Sequence, residues 1–142
     1  EVDLHDIQLI LEVTERSLLS TSGRILERIR EDGFETLMAP GVTSFSAVAA
    51  RLGWSLTEME TPLHIIPASA DLDRALQLPG MKVLMKSGSA IHETVQALER
   101  AGLLDRAALV ADCGLPTEQV YRDLRKLPES LSYFATIIVQ GA

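Results

Sequence analysis

The sequence predicts an α/β fold with a mostly parallel sheet in at least part of the molecule, and three observations carry that expectation. Short apolar runs rich in branched residues recur at Leu63–Ile66, Met81–Met85, Ala107–Ala111 and Tyr133–Val139. Segments of helical periodicity alternate with them, and glycines or Pro-Gly pairs stand at the joints. The composition, 46% hydrophobic and 23% charged over 142 residues, is that of a chain able to bury a core.

The elements follow in order. Ile7, Leu9, Leu11 and Val13 alternate at period two within Asp6–Val13, which reads as a strand. Leu4, Ile7, Leu11 and Leu18 also fit a helical stripe, so both readings stand there. From Ser20 a helix is clearer: Ile25, Leu26 and Ile29 keep helical spacing and Gly33 follows as a stop. Glu35–Ala39 reads as a short strand closed by Pro40-Gly41, and Phe45–Leu52 as an Ala-rich helix ended by Gly53. Trp54-Ser55-Leu56-Thr57 reads as a linker. Beyond it the pattern predicts a strand at Leu63–Ile66, a helix at Leu72–Leu78 and a turn at Pro79-Gly80. It continues with a strand at Met81–Met85, a helix at Ala90–Ala101 stopped by Gly102, and a strand at Ala107–Ala111. A helix at Glu118–Lys126 and a strand at Tyr133–Val139 complete it.

Charge and composition narrow the function classes. Thirteen Lys plus Arg against twenty Asp plus Glu give a net charge of −7, which disfavours a nucleic-acid surface. No apolar run approaches the ~20 residues that span a bilayer, so no membrane partner is expected. The single cysteine, Cys113, excludes an internal disulfide and a Cys-based zinc site. Histidines 5, 64 and 92 are scattered without ligand spacing, so no metal is expected. A cytoplasmic protein is the expectation from these features together.

Three strand-to-helix junctions carry what chemistry the sequence offers. Pro40-Gly41-Val42-Thr43-Ser44 fixes a turn and places Thr43 or Ser44 where it can cap the next helix, leaving backbone N–H groups toward a ligand. Met85-Lys86-Ser87-Gly88-Ser89 joins glycine and small hydroxyls to a lysine able to meet an anion. Asp112-Cys113-Gly114-Leu115-Pro116-Thr117-Glu118 is explained by Thr117 capping a helix that starts at Glu118. Cys113 has no sequence neighbour that lowers its pKa, and reads as a small buried thiol rather than a nucleophile. Each junction alone is explained as a turn with a cap. Three at strand carboxyl ends, where α/β sheets take ligands, point to one small-molecule cleft. P-loop, Gly-x-Gly-x-x-Gly and nucleophile-elbow motifs are absent from the sequence.

Taken in order, a set of segments resembles a known family. Ser20-Thr-Ser-Gly-Arg-Ile-Leu, Pro40-Gly-Val-Thr-Ser-Phe-Ser-Ala, Ile66-Pro-Ala and Val83-Leu-Met-Lys lead it. Ala101-Gly-Leu-Leu-Asp, Cys113-Gly-Leu-Pro-Thr-Glu and Tyr133-Phe-Ala-Thr-Ile-Ile-Val follow. The order is that of the tetrapyrrole methylases, S-adenosylmethionine-dependent enzymes of the cobalamin and sirohaem pathways. The Met-Lys strand end and the Tyr-Phe-x-Thr ending resemble the branch that methylates C20 of precorrin-2 or cobalt-factor II.

That resemblance implies a two-domain α/β protein with S-adenosylmethionine, or S-adenosylhomocysteine after transfer, folded into the cleft between domains. It implies that Thr43 and Ser44 contact the methionyl end of the cofactor. Backbone groups at Lys86, Cys113 and Gly114 would hold adenine and ribose. No catalytic nucleophile is implied, since methyl transfer needs alignment and a dry cleft. A tetrapyrrole substrate and a homodimer are the implied partners. The family also opens with a glycine-rich strand and carries Gly-Asp-Pro plus an aromatic before the Ser-Thr-rich helix. Here the first glycine is Gly23, and the corresponding positions read Thr14-Glu15-Arg16-Ser17-Leu18-Leu19. The expectation is therefore a remnant of the N-terminal domain over residues 1–54 (strand-helix-strand-helix) and a complete C-terminal α/β domain over 55–142. The alternative to a methyltransferase is a non-catalytic α/β module that associates through exposed sheet edges.

Overall fold

The structure is a computed structural model that describes residues 22–35, 37, 41–67 and 69–141. Asp6–Val13 and Thr14–Leu19 lie outside the described residues, as do residues 36, 38 and 39 of the strand expected over Glu35–Ala39. The chain divides into two compact units, Glu1–Pro40 and Gly41–Ala142.

In the first unit the described element is helix α1 (Ser22–Glu31). Arg28 pairs with Glu31 at 4.0 Å and with Asp32 at 3.5 Å, the i,i+3 and i,i+4 spacings of one helix face. Gly33, at φ 88°, turns the chain out of the helix, and the Gly33 and Phe34 amides donate back to the Arg30 and Ile29 carbonyls.

The second unit begins with helix α2 (Ser44–Leu52), followed by β1 (Leu63–Pro67), the short helix α3 (Leu72–Ala75) and β2 (Met81–Met85). Helix α4 (Ile91–Arg100), β3 (Ala107–Ala111), β4 (Gln119–Tyr121) and β5 (Ala135–Val139) complete it. The strands form one five-stranded sheet in the order β1-β2-β5-β3-β4. Side chains alternate between its faces. Leu84, Leu109, Ile137 and Val139 enter a core with Ile91, Ala97 and Leu98 of α4, against which Leu72 and Ala75 of α3 pack. Met81, Val83, Ala108, Val110 and Ile138 meet Val48, Ala49 and Leu52 of α2 on the opposite side. Burying Val48 and Leu52 contributes about 1.5–3 kcal/mol each, enough to hold α2 on the sheet although its interior is not long. Trp54 and Leu56 join that second core. The segment expected as a linker is thus packed, and the Trp54 amide closes the end of α2 on the Ala49 carbonyl at 3.0 Å.

Four further expectations are corrected. The sheet is mixed: β1 and β2 pair in parallel, whereas β5 runs antiparallel to both β2 and β3, and β4 antiparallel to β3. The connection over residues 112–118 is too short for a crossover helix, so β4 must return antiparallel. The helix expected over Glu118–Lys126 is instead β4 and a 3-10 turn at Leu124–Lys126. Val120 and Tyr121 are β-branched and aromatic, and the open edge of β3 supplies ladder partners that a lone helix there would lack. Asp123 starts the 3-10 turn by accepting from the Arg125 amide at 3.1 Å. The helix expected over Leu72–Leu78 stops at Ala75, and β5 begins at Ala135, leaving Tyr133 and Phe134 in a turn before it. No described helix is long and apolar enough to cross a membrane.

Candidate functional site

Because β5 is antiparallel to both β2 and β3, these two run the same way and end at the same edge of the sheet, one on each side of β5. Met85 stands opposite Thr136 and Ala111 opposite Ala135, near the start of β5. The loops 86–90, 112–118 and 131–134 therefore share one rim of the sheet. Lys86, Cys113 and Gly114 all lie on it.

Strained backbone concentrates at this rim. Lys86 has φ 60° and Asp112 φ 52°, both in the left-handed region that non-glycine residues seldom adopt. Each sits at the last step of a central strand, where the chain leaves the ladder. Asp112 is held in place from several sides. Its amide donates to the Phe134 carbonyl at 3.1 Å, Thr117 Oγ1 donates to Oδ2 at 2.9 Å, and Ser132 Oγ donates to Oδ1. Thr117 thus anchors the loop rather than capping a helix. Ser132 Oγ in turn accepts the Phe134 amide at 3.2 Å.

The Lys86 side is close-packed. The Ser87 amide reaches the Ala135 carbonyl at 3.3 Å, while Ser87 Oγ is fully buried and has no hydrogen-bond partner among the described residues. Gly88 passes so near the 131–134 loop that a Cβ there would lie 2.1 Å from the Ser132 carbonyl oxygen. Lys86 Nζ sits 5.8 Å from the Tyr133 ring centroid, and Tyr133 meets Phe134 edge to face at 5.5 Å. Both rings stay exposed, Tyr133 at 54% and Phe134 at 67%.

On the other side of the rim, Gly114 has φ 83° and donates its amide to Glu118 Oε2 at 2.8 Å. Arg51, in the last turn of α2, donates to Glu118 Oε1. Arg51 first, and the Gly114 amide second, hold the Glu118 carboxyl below its ordinary range. Burial pushes the Cys113 thiol up, with the Glu118 charge adding to it, so this cysteine is protonated and packs beside the α2 core. Gly114 therefore offers a ligand its carbonyl, its amide being already engaged.

Thr43 and Ser44 open α2. Thr43 is extended (φ −67°, ψ 144°), and its carbonyl accepts the Ser46 and Ala47 amides. Its hydroxyl pairs with Ser46 Oγ at 2.7 Å rather than with a backbone amide, so the first turn of α2 keeps uncapped N–H groups. The described hydrogen bonds do not tie Thr43 or Ser44 to the rim directly; the link runs through the far end of α2, from Arg51 to Glu118. The sequence reading quotes Ser87, Asp112 and Glu118 within its junctions without a site role, and does not single out Arg51 or Ser132. Asp-Cys-Gly was a turn signal, but nothing local to Arg51 or Ser132 marks a partner 67 or 20 residues away. His92 is exposed and bonds the Glu129 carbonyl at 3.0 Å. Among the described residues no group of three His, Cys, Asp or Glu side chains could hold a metal ion.

The structure is thus an α/β sheet with strained, glycine-bearing loops gathered at the carboxyl ends of β2 and β3, the edge at which open α/β sheets take ligands. A family model described as Tetrapyrrole (Corrin/Porphyrin) Methylases matches residues 17–128, and the chain belongs to that family. It is 36% identical over 107 residues to the cobalt-precorrin-2 C(20)-methyltransferase of Salmonella typhimurium, a match covering 72% of this chain and 45% of that enzyme. The chain spans less than half the length of the curated relatives it matches. Its fold is similar to the X-ray structure of a cobalt precorrin-4 methyltransferase of cobalamin biosynthesis, with TM-score 0.61 and 18% identity. That match covers 85% of this chain and 59% of the other. A uroporphyrin-III C-methyl transferase from Thermus thermophilus, complexed with S-adenyl homocysteine, gives TM-score 0.54 at 19% identity. There 87% of this chain and 60% of that one are covered.

Proposed function

We propose that this chain supplies part of an S-adenosylmethionine-dependent methyltransferase that modifies a tetrapyrrole in cobalamin biosynthesis, at C20 of precorrin-2 or cobalt-factor II. The observation that carries the reading is the family match over residues 17–128, on which the rim residues Lys86, Cys113 and Gly114 fall together. The C20 position is supported by the 36% identity to the Salmonella typhimurium enzyme.

The residues suit the cofactor. The buried, unpartnered Ser87 Oγ is a polar atom seeking a partner at the rim, and burying it unsatisfied costs about 1–3 kcal/mol. Across the start of β5, the Gly114 carbonyl and the backbone of Cys113 are polar groups for adenine or ribose, and the uncapped first turn of α2 behind Thr43 and Ser44 suits a carboxylate. When bound, S-adenosylmethionine supplies an electrophilic methyl group for transfer to a nucleophilic carbon. The chain's part is positional. The left-handed turns at Lys86 and Asp112 take the chain out of β2 and β3 at one edge, and the exposed Tyr133 and Phe134 rings, Tyr133 beside Lys86, offer an apolar surface with one cation to a macrocycle bearing carboxylates.

Calorimetric titration with S-adenosylhomocysteine tests cofactor binding; absence of heat at millimolar ligand refutes it for this chain. Incubation with S-adenosylmethionine and either precorrin-2 or cobalt-factor II, followed by mass spectrometry, tests the substrate. A second reading, association through a sheet edge, is favoured by one observation: edge strand β1 leaves Ile65 half exposed. A homodimer is the proposed assembly, and a strict monomer by light scattering at high concentration counts against it.

A further inference from the structure

We propose that Glu118 and Arg51 are positioning residues, a charged latch that sets the direction of the Cys113–Gly114 backbone and couples it to helix α2. The loop over residues 112–118 makes its turn with two left-handed residues, Asp112 and Gly114. The sheet ladder ends at Ala111; the Asp112 amide still reaches the Phe134 carbonyl, whereas Gly114 lies beyond it. Asp112 is fixed by Thr117 and Ser132, and Gly114 by the one carboxylate of Glu118. That carboxylate is shared: Oε2 takes the Gly114 amide and Oε1 takes the Arg51 guanidinium. A charged acceptor makes the stronger kind of hydrogen bond, and the paired arginine keeps Glu118 ionised and aimed. Arg51 belongs to α2, which also begins with Thr43 and Ser44 and is held rigidly on the sheet by Val48, Ala49 and Leu52. One ion pair therefore joins two of the three segments that carry candidate cofactor residues, the third being the one with Lys86. Glu118 itself need touch no ligand.

The latch is a property of the chain alone, whereas its consequence for ligand binding rests on the cofactor reading above. Two measurements on the full chain keep them apart. The first is amide hydrogen exchange at Gly114 without ligand. In Glu118→Ala it accelerates by about tenfold or more while the Leu109 and Ile137 amides stay protected. Unchanged Gly114 exchange in a folded Glu118→Ala protein overturns the proposal, whether or not the wild type binds cofactor.

The second is S-adenosylhomocysteine affinity. Glu118→Ala weakens it about tenfold, the ratio expected for losing one charge-assisted bond, and Glu118→Gln, which retains an acceptor oxygen, recovers most of that loss. The double exchange Arg51→Glu with Glu118→Arg restores an ion pair but leaves the Gly114 amide facing a side chain with donors only. It regains thermal stability without regaining affinity. Recovery of both by the exchange overturns the latch and leaves an ordinary salt bridge. No binding by the wild type refutes the cofactor reading, and the exchange measurement still decides the latch.

Discussion

Gly88 gives the sharpest test of how the rim is built. Its φ lies outside the left-handed region, so alanine meets no backbone strain there and the effect is steric. An added Cβ would lie 2.1 Å from the Ser132 carbonyl oxygen and 2.8 Å from the Ser132 carbonyl carbon, against 3.4 Å for ordinary contact. The 131–134 loop must therefore retreat by about 1.3 Å, and it is backbone, with no flexible side-chain end to swing aside. Ser132 donates to Asp112 and accepts from the Phe134 amide, so the retreat strains both bonds and loosens the Asp112 turn. Overpacking of this kind costs about 1–3 kcal/mol, and each kcal/mol lowers Tm by about 3 °C in a domain of this size. Urea and thermal unfolding read the stability, and calorimetry reads S-adenosylhomocysteine affinity. Gly102→Ala is the control: φ 68° with open space around it gives conformational strain of about 1–2 kcal/mol in the turn after α4, away from the rim. Gly88→Ala is expected to lose both stability and affinity, Gly102→Ala stability alone. Wild-type stability and affinity in Gly88→Ala would refute the close-packed rim.

Other outcomes follow from the same structure. Leu98 is fully buried where α4 meets the sheet, so Leu98→Ala should cost about 2–5 kcal/mol in urea unfolding; a loss under about 1 kcal/mol would show that α4 is not seated as described. The Glu118 carboxyl, depressed by Arg51 and then by the Gly114 amide, contributes stability that is present above the ordinary glutamate range and lost as pH falls through its lowered folded value. Acid unfolding curves should show Glu118→Gln losing less stability between neutral and acidic pH than the wild type; parallel curves would remove the assignment. Lys82 is 2% exposed with its ammonium on the Gly80 carbonyl at 2.8 Å, and burial lowers its pKa. The unfolded chain then binds the proton more tightly, so wild-type stability should rise as pH climbs from the folded value toward the ordinary lysine range. Lys82→Met should abolish that rise, as measured by urea unfolding across alkaline pH.

Much of this architecture is legible along the chain. The apolar runs at Met81–Met85 and Ala107–Ala111 are strands with the bounds their patterning indicates, and Leu63–Ile66 extends by one residue to Pro67. Gly53 and Gly102 stop helices because a left-handed residue is needed there, at φ 69° and 68°. Such signals are local: periodicity and turn chemistry depend on neighbours a few residues away. The ordered segments that resemble the tetrapyrrole methylases are equally local strings, which is why the family is legible in the sequence alone.

Pairing was decided elsewhere. The helical and extended readings of Glu118–Lys126 compete closely by propensity, and the vacant edge of β3, where Val110 faces Val120, tips the balance to a strand. Whether β5 enters parallel or antiparallel is invisible in its own Ala-Thr-Ile-Ile-Val run, because either direction buries the same alternating faces. Arg51 reads as one charge at a helix end, and Glu118 as one carboxylate after a threonine. Only when the sheet brings the 112–118 loop beside α2 do they share a bond across 67 positions. By itself the sequence determined four of the five strands of the sheet, most of the described helices and the family, because those are written in short-range patterns. The tertiary structure alone decided the strand directions, the rim and the partners that hold it, because these depend on which distant segments compete for the same edge, face or charge.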